Sequence, residues 1–450
     1  MNKKMLCPIV LGIVSFIGGI ATAFASTTYY VDTNNSKASD SNSGSQSLPW
    51  KTIQKASNIM IAGDTAIVIA GAYNEQVATT RSAASGNRIT FRASGTVTLN
   101  GFTIGHNYIT VDGFVIPTNY SISATGSFCE ILNNHLYDSY IKIPYTSSTS
   151  NCLIKGNHIE GTINWGSDWT AIELGGSNHI VENNEIGPIK DTDAFRPFGH
   201  DNIIRNNYIH DITLSPGSGA HMDIFQVFGD NGTEISYNII FENNLIMNST
   251  GQMFMTSVAL DGTGGNRLHD WDVRNNVWVN IAMQGNVGIP NFRFYNNTLY
   301  NADYVNGFAL YLYPEVWGDP NGAQIMNNIF IDAGGVNNTS ITGAYYIVKG
   351  TNITKDYNYV ARGPSKGYAT LTGFTEAHGI NGGDPKFVNL PTNDFHLQQN
   401  SPAINKGTTL TGFNYDANGI SRPQGAAWDI GAFEYTGGST LAPPTNLRAQ

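Results

Sequence analysis

Charge is scarce in this 450-residue chain: 13% of its residues are Asp, Glu, Lys or Arg, and the formal net charge is −10. So light and acidic a balance argues against nucleic acid or an anionic membrane surface as partner. Cysteine is scarcer, with three residues, so stability has to come from packing rather than from a disulfide framework. Beyond the first 25 residues no apolar run is long enough to cross a membrane. What the chain has instead is 49 Gly and 51 Asn. Both are poor helix formers that favour turns, which excludes an ordinary helical enzyme. Hydrophobic residues at 41% and aromatics at 11% still provide a large core. The composition is that of a folded, turn-rich, β-rich protein.

The start reads as an export signal. Lys3 and Lys4 precede an apolar run over residues 9–20, and Ala23-Phe24-Ala25 offers a small-x-small cleavage site. The mature chain then begins at Ser26, secreted or held in a periplasm or at a cell surface. Loss of the two lysines takes the formal charge to −12. Cys7 leaves with the signal, so Cys129 and Cys152 remain.

An Asn-Asn pair followed by an apolar residue recurs: Asn133-Asn134, Asn183-Asn184, Asn206-Asn207, Asn243-Asn244, Asn275-Asn276, Asn296-Asn297 and Asn327-Asn328, with Gly156-Asn157 as a degenerate copy. Between the second members, the spacings are 23, 27, 23, 37, 32, 21 and 31 residues, a basal period of 21 to 23 with insertions. Three residues before each mark stands Ile131, Ile154, Val181, Ile204, Phe241, Val273 or Phe294. Two before it stands Leu132, Lys155, Glu182, Arg205, Glu242, Arg274 or Tyr295. Inward apolar beside outward charged is a strand signature, and the alternating signs predict repeats stacked in parallel at strand spacing. The repeats are too short for βαβ units, so the pattern predicts an all-β solenoid of roughly ten coils, with the marked Asn at a bend. Cys129 and Cys152 share one phase, five before the mark, and stack as a disulfide or as two buried thiols.

These Asn-Asn-x-Ile repeats resemble the right-handed parallel β-helix of the pectate lyase superfamily. The segments Tyr29-Tyr30-Val31-Asp32, Pro49-Trp50-Lys51-Thr52-Ile53 and Ala62-Gly63-Asp64 are similar to the amino-terminal cap of its secreted members, which implies a plugging helix near residues 50–60. Asp384-Pro385-Lys386-Phe387, Ser401-Pro402-Ala403-Ile404 and Asp429-Ile430-Gly431-Ala432-Phe433-Glu434-Tyr435 resemble a closing segment of exported β-helix proteins. The expected organisation is a signal peptide (1–25), cap and first coil (26–75), parallel β-helix (76–380), closing segment (381–436) and a linker-like tail (437–450). Lyases, hydrolases, epimerases and adhesins share this scaffold, so function has to be argued from the site.

The longest interval, from Asn207 to Asn244, holds His221 and Asp223-Ile224-Phe225-Gln226-Val227-Phe228-Gly229. The preceding coil holds Lys190, Asp191 and Asp193-Ala194-Phe195-Arg196-Pro197-Phe198-Gly199. Aligned without gaps, Asp193 and Asp223 form one column with Thr170, and Arg196 and Gln226 form another with Glu173. Stacked carboxylates call for a bridging cation or a shared proton. Calcium held by Asp193, Asp223 and Asp191, or an acid beside a base, are the two chemical readings; turn capping is the bland one. His221 supplies a proton-transfer group. For a uronate lyase, Arg196, Lys190 and His221 are the local cation and base candidates. Trp165, Trp169, Trp271, Trp278, Tyr311, Tyr313 and Trp317 fall near or within the insertions and are candidate sugar platforms, with Trp278 expected in the core; Gln226, Lys190, Trp169, Tyr313 and Trp317 are the binding candidates. The reading is a monomeric, exported, carbohydrate-active enzyme cleaving a polysaccharide in a groove, with lyase ahead of glycoside hydrolase. Its alternative is a non-catalytic glycan-binding or adhesion protein.

Overall fold

A computed structural model describes residues 26–162, 170–229, 233–257, 267–302, 308–312, 318–333 and 343–437. Apart from an antiparallel pair, Phe387–Asn389 with Asp394–Leu397, its strands join, coil upon coil, into one parallel array. Each coil contributes a leading strand before the Asn bend, such as Leu153–Lys155, a trailing strand after it, such as His158–Thr162, and a strand of a third sheet, such as Thr170–Leu174. In the leading sheet Ile131, Ile154, Val181, Ile204, Phe241, Val273 and Phe294 pair in unbroken register and are buried. Their outward neighbours carry the expected charge ladder: Glu182 lies 2.8 Å from both Lys155 and Arg205, and Glu242 lies 2.8 Å from Arg274.

The two members of each Asn pair divide the work of the bend. The first takes the left-handed conformation, with φ between 50° and 59° at Asn133, Asn183, Asn206, Asn243, Asn275, Asn296 and Asn327; Gly156 does so in the degenerate copy. Asn tolerates this region better than most residues and Gly does so without strain. The second Asn, at the mark, is buried and builds a ladder. From Asn157 to Asn358, each Oδ1 accepts from the main-chain N–H and the Nδ2 of the Asn one coil earlier, at 2.8–3.1 Å, and Asn134 Oδ1 at the start accepts from the N–H of Phe114. The second Nδ2 proton goes to a main-chain carbonyl, as from Asn184 to Ile154. Every polar atom of these buried amides is thereby satisfied, which is the condition for burying them at all. The marked Asn was expected at the bend; the residue before it takes the left-handed conformation. Asn358 is a rung that follows Tyr357 rather than Asn, and Glu376 ends the ladder by accepting from the N–H and Nδ2 of Asn358.

At the amino-terminal end the helix Ile53–Ile59 buries Ile53 and Ala56 against the first coils. Its exposed N–H groups are met by Thr52, which caps Lys55, and by the Glu75 carboxylate, which accepts from Ile53 and Gln54. The carboxy-terminal segment runs along the side of the coil, over the later bends. Asn275, Asn296 and Asn327 donate to the carbonyls of Tyr415, Asp429 and Thr408, respectively. Arg422 and Glu434 pair at 2.7 Å with no exposure on either side chain. Beneath this strap, Leu245, Val277, Ile329 and Tyr359 on the outer face of the trailing sheet pack with Phe387, Phe395, Ile430 and Phe433 as a second core. Cys129 and Cys152 are buried free thiols in adjacent coils, the Sγ of Cys152 accepting from the N–H of Cys129 at 3.4 Å.

Candidate functional site

The candidate residues sit where the chain enters the third sheet. Thr170 pairs with Asp193, Ile172 with Phe195 and Glu173 with Arg196; Phe195 then pairs with Phe225, and Phe225 with Phe254. Strict alternation would put residues three apart on opposite faces. Here two successive residues, Ala194 and Phe195, both enter the core, as do Ile224 and Phe225 one coil later. The strand therefore turns a corner, and Asp193 and Arg196 emerge on the same side of it.

Their contacts follow from that corner. Arg196 donates through Nε and Nη2 to Oδ2 of Asp193 at 2.9 and 2.8 Å, while Oδ1 accepts from the N–H of Asp223 at 2.8 Å. Asp193 and Asp223 are both fully buried. Burial first, and the Asp223 charge second, push the Asp193 carboxyl up to about 7 against the pull of Arg196. Above it, the loop after the trailing strand Tyr208–Thr213 brings in His221, whose side chain is 54% exposed and whose Nδ1 lies 3.1 Å from Oδ2 of Asp223. Gln226 Nε2 reaches the same nitrogen at 3.5 Å, the outer limit of a hydrogen bond, and the nearby carboxylate contributes its charge to the ring as an ion-pair partner.

The other candidates are placed as follows. Asp191 takes the left-handed conformation and accepts from the N–H of Ser215, which anchors the loop carrying His221. Among the described residues, no cluster of three ion-ligating side chains includes Asp191, Asp193 or Asp223. Arg196 brings a positive charge directly against Asp193. Lys190 is exposed at the end of the adjoining trailing strand. Trp165, Trp169, Tyr313 and Trp317 lie outside the described residues. Trp278 is core, as expected; Trp271, considered as a sugar platform, is core too, with its Nε1 donating to Ser236. His200 and His269 sandwich Tyr237 as a ring stack, each imidazole bonded to the aspartate that follows it.

Two buried polar residues beside this site, Gln252 and Asn286, were not among the candidates read from the sequence. Gln252 pairs with Asp223 in the next coil, and its Oε1 accepts from Asn286 Nδ2 at 2.9 Å. The legible sign was Gln252-x-Phe254, which repeats Asp193-x-Phe195 and Asp223-x-Phe225.

No protein-family model matches the chain. The uncharacterized protein YwoF of Bacillus subtilis is 26% identical over 204 residues, which cover 40% of this chain and 41% of that protein; the chain thus spans less than half of the curated relative it matches. Among solved structures, the complex of XylC with xylose superposes with a TM-score of 0.55 at 12% identity, over 90% of this chain and 98% of that one. The tailspike of E. coli bacteriophage HK620, in complex with a pentasaccharide, gives 0.50 at 14% identity over 74% and 66%. Pectate lyase Pel9A gives 0.49 at 18% identity over 91% and 96%. The fold is a right-handed parallel β-helix.

Along this β-helix the Gln226 column continues through Met255, Asn286, Tyr311 and Tyr346, one residue per coil. Tyr311 and Tyr346 stack at 5.7 Å with planes 9° apart, and Phe308 lies beside both rings. At strand spacing, this aromatic platform stands about 14–19 Å from Gln226 on the same face.

Proposed function

We propose that the protein is an exported polysaccharide-degrading enzyme that binds a glycan chain along the outer face of the third sheet and cleaves it by β-elimination, with His221 as the base. One observation carries the proposal: a half-exposed imidazole whose Nδ1 lies 3.1 Å from a fully buried carboxylate. A carboxylate at that distance stabilises the protonated ring that forms when the base takes a proton. Burial also favours elimination over glycoside hydrolysis. A retaining or inverting glycosidase needs two carboxyl groups that flank the scissile bond, whereas Asp193 and Asp223 lie beneath the surface. In this reading Asp223 positions His221, and Arg196 and Asp193 hold the charge balance below. Lys190 offers an exposed cation toward a uronate carboxylate.

The Phe308, Tyr311 and Tyr346 platform supports the glycan part of the proposal independently, since ring faces stack on pyranoses. It is equally compatible with a protein that only binds. Incubation with a panel of uronans and neutral glycans separates the readings. Elimination gives absorbance in the unsaturated-uronate band together with new reducing ends. Reducing ends alone mean hydrolysis, and glycan retention without either product means binding alone.

A further inference from the structure

On the uncovered half of the trailing sheet, two imidazoles and a carboxylate converge with no part in the site above. His135 and His158 are register partners on adjacent coils, and their rings stack at 4.7 Å with planes 2° apart. Glu160 bridges them: Oε1 lies 2.7 Å from His135 Nε2, and Oε2 lies 3.9 Å from His158 Nε2. One ligand atom from each residue falls within 4.8 Å of the others.

The sheet itself shows that this cluster is built. Pairing with the next coil runs His158 to Glu185 and Ile159 to Ile186, then jumps to Gly161 with Ile189, so Glu160 faces two residues, Gly187 and Pro188. Such a bulge re-aims a side chain. The Gly187 carbonyl also faces the cluster, 3.3 Å from His158 Nε2. The same outward column turns apolar further along, at Leu245, Val277, Ile329 and Tyr359, where the carboxy-terminal strap covers it. Solvation alone asks only for polar residues on the open half. It does not ask for two imidazoles sharing one carboxylate.

We infer that His135, His158 and Glu160 form a binding site for a divalent transition ion of the zinc class. Two imidazole nitrogens and one carboxylate oxygen are the donor set zinc takes with one position left open. A tetrahedral ion with bonds of 2.0–2.1 Å separates its donor atoms by about 3.3 Å. With one ligand atom of each residue within 4.8 Å of the others, closing on an ion asks for changes of at most about 1.5 Å and a tilt of the two rings out of their parallel stack, within the reach of partly exposed side chains. The site is independent of the proposed cleavage.

The test uses the mature chain, freed of metal by chelator and dialysis and titrated with Zn²⁺ by calorimetry, with Co²⁺ absorption as a second readout. One ion per chain is expected, with the visible bands of a low-symmetry Co²⁺ site. His158→Ala and Glu160→Gln should each weaken Zn²⁺ binding at least about tenfold and remove those bands, while His200→Ala changes neither. Melting of the metal-free variants checks that they fold. Zn²⁺ affinity unchanged in a His135→Ala/His158→Ala double variant that melts like the parent would overturn the assignment, leaving the stacked imidazoles a structural ladder.

Discussion

Asp193 illustrates how much one residue's setting can change its chemistry. Its carboxyl ordinarily titrates at 3.8 and in this fold does so at about 7, chiefly because it is buried and secondly because Asp223 lies beside it. A folded-state value raised above the unfolded one stabilises most below pH 3.8, and that contribution is lost as pH rises to 7. An asparagine in its place would mimic the protonated form at every pH, so the melting temperature of Asp193→Asn relative to the parent should climb from about pH 4 to about 7 and then level off. The full span corresponds to on the order of a few kcal/mol. The buried Arg196 left without its carboxylate adds an offset that does not depend on pH, so the slope is the quantity to read. A flat difference would mean that Asp193 is ionised throughout. That the two aspartates stack was legible in the repeated Asp-x-Phe-x-x-Phe-Gly frame. Which way Arg196 points was not, because it depends on the corner at Ala194 and Phe195, where period-two alternation fails.

At the scale of the repeat, the two Asn of a pair should respond oppositely to substitution. Asn207→Ala removes the acceptor for both the N–H and the Nδ2 of Asn184 inside the coil. Leaving buried donors unsatisfied costs about 1–3 kcal/mol each, so a loss of roughly 3 kcal/mol or more is expected in denaturant unfolding. Asn206→Gly keeps the left-handed backbone and should change stability by only about 0.5 kcal/mol, whereas Asn206→Val should cost about 1–2 kcal/mol through strain. Equal effects at 206 and 207 would contradict the division of roles. The ladder was largely readable because each rung repeats one chemical requirement at one phase. Asn358 was missed because the bend before it is made by Tyr357, and a tyrosine carries no sequence sign of left-handed backbone.

Over the whole molecule, the coil's interior, its register and its amino-terminal plug followed from the repeat and from the cap resemblance. The carboxy-terminal strap did not, because its docking depends on side chains far away in the chain that carry no common spacing. Its anchor is Arg422, buried with Glu434 and also bonded to Asn275. Arg422→Ala strands a buried carboxylate and should cost roughly 3–5 kcal/mol. Limited proteolysis should then release the strap while the coils persist; a variant as resistant as the parent would show that the strap is held elsewhere. The strap covers one end of the trailing sheet and leaves the third sheet open, where the His221 loop and the tyrosine platform share a face. The central claim is that this face cleaves a glycan through His221. Its most direct test is the rate of unsaturated-product formation by the parent and by His221→Ala on the uronan the protein retains best, with binding measured in parallel. His221→Ala is expected to bind still but to lose at least about a hundredfold in rate. An unchanged rate in the variant, or no cleavage by the parent of any glycan it binds, would contradict it.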